Sequence, residues 1–147
     1  MSEEYRYPDE DSLRAVCEGF AACTLPKEQW TNAAHWAGAI WLIRARPDML
    51  PERDMPDMIR RYNLSVGGEN TDTGGYHETI TQASIRATRA FLAERREDEP
   101  LHLAHAALMA GPLGEREWLL AYWSRERLFS VEARRSWVDP DHAPLPF

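Results

Sequence analysis

Cysteine is scarce in this chain. Cys17 and Cys23, six residues apart, are the two thiols, and no zinc-type ligand spacing accompanies them. They read as reduced thiols on one helix or at its end, in a reducing compartment, which argues against a disulfide scaffold. No apolar run reaches membrane-spanning length. The acidic start Met1-Ser2-Glu3-Glu4-Tyr5 lacks the apolar stretch of a secretory signal, so a cytoplasmic protein without a membrane partner is expected. Sustained two-residue alternation of β-branched residues is also missing, which argues against strands. Internal repeats and low-complexity tracts are absent. No Gly-x-Ser-x-Gly elbow is present, and Cys17 sits in an apolar helical pattern, so nucleophilic catalysis has little support.

Net charge excludes another class. At −7, the field of the protein repels a phosphate backbone unless one face is strongly basic. The arginine pairs, such as Arg60/Arg61 and Arg134/Arg135, are scattered among acids, so nucleic acid is not an expected partner. The charge leaves the oligomeric state open. What remains is a chain of 147 residues, 44% hydrophobic and rich in tryptophan with six of them, enough for a core in one domain spanning 1–147.

The expected fold is all-α: a compact single-domain bundle of six or seven helices with an extended C-terminal tail. Residues 1–8 read as a loose arm. Asp9 or Asp11 starts a first helix carrying Leu13, Val16 and Phe20 at helical spacing, ended by Leu25-Pro26. Thr31 caps a second helix that runs to about Arg46, before Pro47. From Trp36 to Ile43 it is apolar nearly all round, which predicts a central helix packed on several sides. Asp54 starts a third helix, with Pro56 in its first turn, ending at Gly67-Gly68. A fourth covers about Tyr76 to Ala93 and a fifth Leu101 to Ala110. A sixth covers about Glu115 to Trp123. Ser130 caps a short helix ending near Trp137, and 138–147 is the extended tail.

The richest chemistry lies in Asn70-Thr71-Asp72-Thr73-Gly74-Gly75-Tyr76-His77-Glu78-Thr79-Ile80-Thr81. Gly74 and Gly75 permit close backbone approach to a ligand. Asp72 or Thr73 can cap the next helix, whose free N–H groups suit an anion or carbonyl. Tyr76, His77 and Glu78 then fall in its first turn. His77 transfers protons well near neutral pH. Neighbouring side chains on a helix point about 100° apart, so Glu78 cannot squarely share its target. His35, at the start of helix two, is the better companion, and the two rings are expected around one polar pocket. The catalytic candidates are therefore His77, His35, Tyr76 and Glu78. Asn32, Gly74, Gly75, Thr81 and Ser84 are the ligand-binding candidates. The plainer alternative makes His35 and His77 structural residues capping neighbouring helix ends.

Metal is the other alternative, through His35, His77 and Glu78. His77-Glu78-Thr79-Ile80-Thr81 lacks the second histidine of a zinc helix, because Thr81 occupies it. No cofactor and no tightly bound metal are expected. His102 and His105, three apart, form a weaker ligand pair; more often one is exposed and the other packs in the core. Trp30, Trp36 and Trp41 read as core before pocket wall.

Trp30-Thr31-Asn32-Ala33-Ala34-His35 resembles a Phe/Trp-Thr-His-x-x-His segment of a family of small bacterial proteins of uncharacterised function. Asn70 to Thr81 resembles that family's Asn-Thr-Asp-Thr-x-Gly-Tyr-His-Glu-Thr-Ile-Thr signature. Arg127-Leu128-Phe129-Ser130 and Trp137-Val138-Asp139-Pro140-Asp141 are similar to its C-terminal end. The resemblance covers nearly the whole chain and implies a compact helical domain; it supplies no reaction. Asn32 stands where the family has His, so a metal held there in relatives would bind here weakly or not at all.

Together these features favour a small metal-independent enzyme acting on a small polar or anionic metabolite by histidine acid/base chemistry, of hydrolase, lyase or isomerase type. The alternatives are a non-catalytic helical module for a ligand or protein, and a His/Glu metal-dependent enzyme.

Overall fold

The computed structural model describes residues 7–147. Residues 1–6, most of the expected arm, lie outside the described residues. Tyr7 is not loose: its ring packs edge-on against His105, with centroids 5.0 Å apart.

Among the described residues the protein is all-helical, with no strand. The helices are α1 (Glu10–Ala21), α2 (Asn32–Ala45), α3 (Pro51–Ser65), α4 (Glu78–Ala93), α5 (Leu101–Ala110), α6 (Arg125–Leu128) and α7 (Val131–Arg135). None of them is long and apolar enough to cross a membrane.

The caps follow local chemistry. Asp9 accepts the Ser12 N–H at 2.8 Å and starts α1; Thr31 accepts the Ala34 N–H at 3.2 Å and starts α2. The apolar circumference of α2 is used as expected. It packs against α1, α3, α4 and α5, and Ala37, Ile40 and Leu42 are fully buried. Arg44 at its far end donates to the Leu92 carbonyl of α4 at 2.8 Å.

Helix α3 begins one turn earlier than expected. Pro51 occupies its first position, where a missing N–H costs nothing, and Asp54 accepts the Leu50 N–H at 2.8 Å. Pro56 therefore lies inside the helix and leaves the Glu52 carbonyl without its intrahelical donor. Gln82 of α4 fills that vacancy, its Nε2 donating to the Glu52 carbonyl at 3.0 Å. The Glu52 carboxylate pairs with Arg89 of α4 at 2.6 Å.

A second small core lies under the C-terminal segment, around Ala83, Leu119, Trp123, Leu128, Ala133 and Val138. The sixth helix expected over Glu115 to Trp123 is replaced by a single 3₁₀ turn at Trp118–Ala121, with another just before it at Pro112–Gly114. Two contacts stop the segment at Tyr122. The Tyr122 carbonyl is taken by the tail N–H of His142 at 2.8 Å. Ser124 then caps α6, its own N–H held by Asp141 at 2.7 Å. The fully buried Trp123 donates from its indole to the Val138 carbonyl at 3.0 Å, which straps the extended tail down.

Candidate functional site

Three helices and the C-terminal turns enclose a cleft of about 420 Å³, within the range of small-molecule sites. The spacing of its walls explains the lining. Met55 and Ile59, four apart on α3, face it together with Ile80 and Ile85 of α4. Leu119 and Leu128 close its far side. Polar groups sit on one flank: Asn32 and His35 from the first turns of α2, Thr81 and Ser84 from one face of α4. Arg116, Glu117 and Arg125 stand at the rim, and Trp118 ties that rim to α2 by packing on Trp36 with ring centroids 5.9 Å apart.

His35 is the distinctive member. Its ring stacks on Trp30 at 4.0 Å, and Trp30 stacks on Phe20 at 4.1 Å. Neither imidazole nitrogen has a hydrogen-bond partner among the described residues. The crowded walls lower its pKa, towards about 4. Its outer edge is nevertheless exposed, so water works against that lowering. On either balance the ring is neutral at neutral pH. The Asn32 amide and the Ser84 hydroxyl likewise make no hydrogen bond to another described side chain or backbone group. Thr81 donates its hydroxyl to the His77 carbonyl at 2.8 Å and keeps lone pairs for the cleft.

The other sequence candidates stand elsewhere. His77 is the N-cap of α4, so it and Tyr76 precede the helix rather than fall in its first turn. Asp72 and Thr73 do not cap it: Asp72 pairs with Arg135 of α7 at 2.6 Å. His77 is buried, and both its ring nitrogens are engaged. Nδ1 accepts the Ile80 N–H at 3.2 Å, and Nε2 bonds the Leu128 carbonyl at 2.7 Å. Those partners assign the neutral tautomer protonated on Nε2. Burial lowers its pKa, against the opposing effect of the Leu128 bond. Tyr76 is buried, with its hydroxyl bonded to Glu78 and the Arg60 guanidinium 4.2 Å over its ring. Burial, then Glu78, raises its pKa.

The glycine loop is closed from inside. Asn70 Oδ1 accepts the Tyr76 N–H at 3.1 Å and the Asn63 amide at 3.0 Å. Gly75 has φ +82, and a Cβ there would lie 1.9 Å from the Glu69 carbonyl, so glycine serves the turn. Arg134 of α7 donates to the Gly75 carbonyl at 3.0 Å and covers it. The structure thus brings Asn32, His35, Thr81 and Ser84 together around one cleft. Tyr76, His77, Glu78, Gly74 and Gly75 do not line it.

Sequence reasoning missed Met55, Ile59 and the rim residues Arg116, Trp118 and Arg125. The i, i+4 apolar pair on α3 was visible; which way it faces was not. His105 is fully buried, its Nε2 bonded to the Ala33 carbonyl at 2.8 Å and its Nδ1 without a partner. Among the described residues no three His, Cys, Asp or Glu side chains are grouped as a metal ion needs. No family model, curated protein or solved structure matches the chain.

The histidines set a pH dependence. His77 and His105, both buried, have lowered pKa values in the folded state, each mainly through burial. The unfolded chain therefore binds more protons below the ordinary histidine value of about 6.5, and stability falls as pH drops through it. Urea midpoints should decline from about pH 7 to about pH 5, where the paired carboxylates remain ionised. A flat profile there would show that these rings take up protons in the native fold at no cost.

Proposed function

We propose that this protein binds a small molecule with an apolar body in the cleft between α2, α3 and α4, its polar atoms meeting His35, Asn32 and Ser84. One observation supports the reading above others: three polar side chains with unused hydrogen-bonding capacity surround a cavity floored by Met55, Ile59 and Ile85. A cavity of that composition gains from apolar burial and takes its orientation from a few polar contacts. The free thiols Cys17 and Cys23 fit a reducing, cytoplasmic setting.

The test is a titration with N-phenylnaphthylamine, an uncharged dye that brightens in apolar pockets. Wild type should bind it, and Ser84→Phe, which fills the cleft, should not, with little change in Tm. Equal binding by both proteins removes this cleft as the site.

A second reading, metal-free acid/base catalysis, draws on the neutral and unpartnered His35. A neutral imidazole at a cleft wall is competent to accept a proton. Hydrolysis of p-nitrophenyl octanoate should then be lost in His35→Gln while dye binding persists. Equal rates in the two proteins would leave binding alone.

A further inference from the structure

Arginine carries nearly all the positive charge of this chain, and nearly every described arginine is engaged. Most pair with carboxylates, as Arg89 does with Glu52 and Arg135 with Asp72. Arg44, Arg127 and Arg134 donate to backbone carbonyls. Arg86 lies 4.2 Å over the ring of Trp137. Among the described residues, Arg61 and Arg116 are left without an ion pair, a hydrogen bond or an aromatic partner. Arg116 lines the cleft and Arg61 does not.

The remaining charges of the cleft cancel. Arg125 and Glu117 pair across the rim at 2.5 Å, and His35 is neutral. One guanidinium is therefore uncompensated at the mouth of an apolar cavity. A lone guanidinium presents a planar fork that matches one carboxylate in bidentate fashion. With one unpaired guanidinium at the rim, a second negative charge on a ligand finds no cation of its own. The exposed ring of Phe129 and the half-buried Trp118 extend the apolar wall towards the rim.

We infer that the ligand is an amphipathic monocarboxylate, its carboxylate paired with Arg116 and its hydrocarbon body laid over Met55, Ile59 and Ile85. The inference rests on the cleft reading above and adds its charge class. Arg116 is a specificity residue: it selects the anionic head and does not hold the apolar body.

Displacement of N-phenylnaphthylamine by decanoate, decanamide and decyl phosphate tests it on the whole chain. Decanoate should displace the dye about three- to fivefold better than decanamide at low salt, as an ion pair at an exposed rim allows. The advantage, read as the ratio of decanoate to decanamide displacement within each protein, should shrink with added salt and vanish in Arg116→Gln. Arg116→Lys should restore part of it. Decyl phosphate should bind less well than decanoate. Equal displacement by decanoate and decanamide, a preference that survives Arg116→Gln, or tighter binding of decyl phosphate would each overturn the inference while the cleft reading stands. Failure of the dye to enter the cleft removes both.

Discussion

Ile40→Asp is expected to abolish the folded state. Ile40 is 0% exposed in the middle of α2, the helix that α1, α3, α4 and α5 all touch. Removing the aliphatic side chain forfeits about 2–5 kcal/mol of burial and packing. The new carboxylate has no cation or donor within that apolar circumference, so it stays protonated at further cost or unfolds the helix around it. Domains of this size are stable by only about 5–15 kcal/mol. The far-UV spectrum should lose most of its helical signal, and proton NMR should lose its dispersed methyl resonances. Ile40→Val, which removes one methylene, should cost only about 0.5–1.5 kcal/mol and keep the fold. A cooperative melt of Ile40→Asp within a few degrees of wild type would show that α2 is not the centre of the core.

The legible parts of this fold are those written in local chemistry. Asp9 and Thr31 cap the helices they precede, Pro47 follows the end of α2, and Gly111 follows the last residue of α5. The apolar run Trp36 to Ile43 gave the burial of α2 without reference to any partner. The less legible parts depend on distant groups. Pro56 suggested a helix start because prolines favour first turns; a glutamine thirty residues away makes it tolerable inside α3. The stretch Glu115 to Trp123 has helical composition, yet the tail takes the Tyr122 carbonyl and the Trp123 indole, contacts that lie far along the chain. Asx and Thr side chains are commoner caps than imidazole, so the reading that put Asp72 or Thr73 there followed the usual preference. The buried Leu128 carbonyl, fifty-one residues from His77, is what holds the ring in the capping position. The cleft divides the same way. The residues of α2 and α4 that line it share faces computable from helical spacing. Arg116 enters from a turn whose path is set by the second core, and no spacing rule reaches it.

His77→Ala separates the two roles open to that ring. In the structure it has two simultaneous duties: Nδ1 caps the Ile80 N–H, and Nε2 bonds the Leu128 carbonyl. Losing a helix cap costs about 0.5–2 kcal/mol. Leaving a buried carbonyl unpaired costs about 1–3 kcal/mol more. Together these amount to about 1.5–5 kcal/mol, enough to lower Tm by roughly five to twenty degrees in a domain of this size. His77→Asn should recover the cap, since an asparagine oxygen accepts the same N–H, but it is too short to reach Leu128; about 1 kcal/mol should return. N-phenylnaphthylamine should bind both variants below their melting temperatures about as it binds wild type, because His77 does not line the cleft. His35→Ala should show the opposite signature. Its ring makes no hydrogen bond, so it gives up only the stacking on Trp30, an aromatic contact worth about 0.5–1.5 kcal/mol, while the polar flank of the cleft loses its imidazole. A His77→Ala protein with unchanged Tm and lost ligand binding would return the site to the start of α4 and take it away from the cleft.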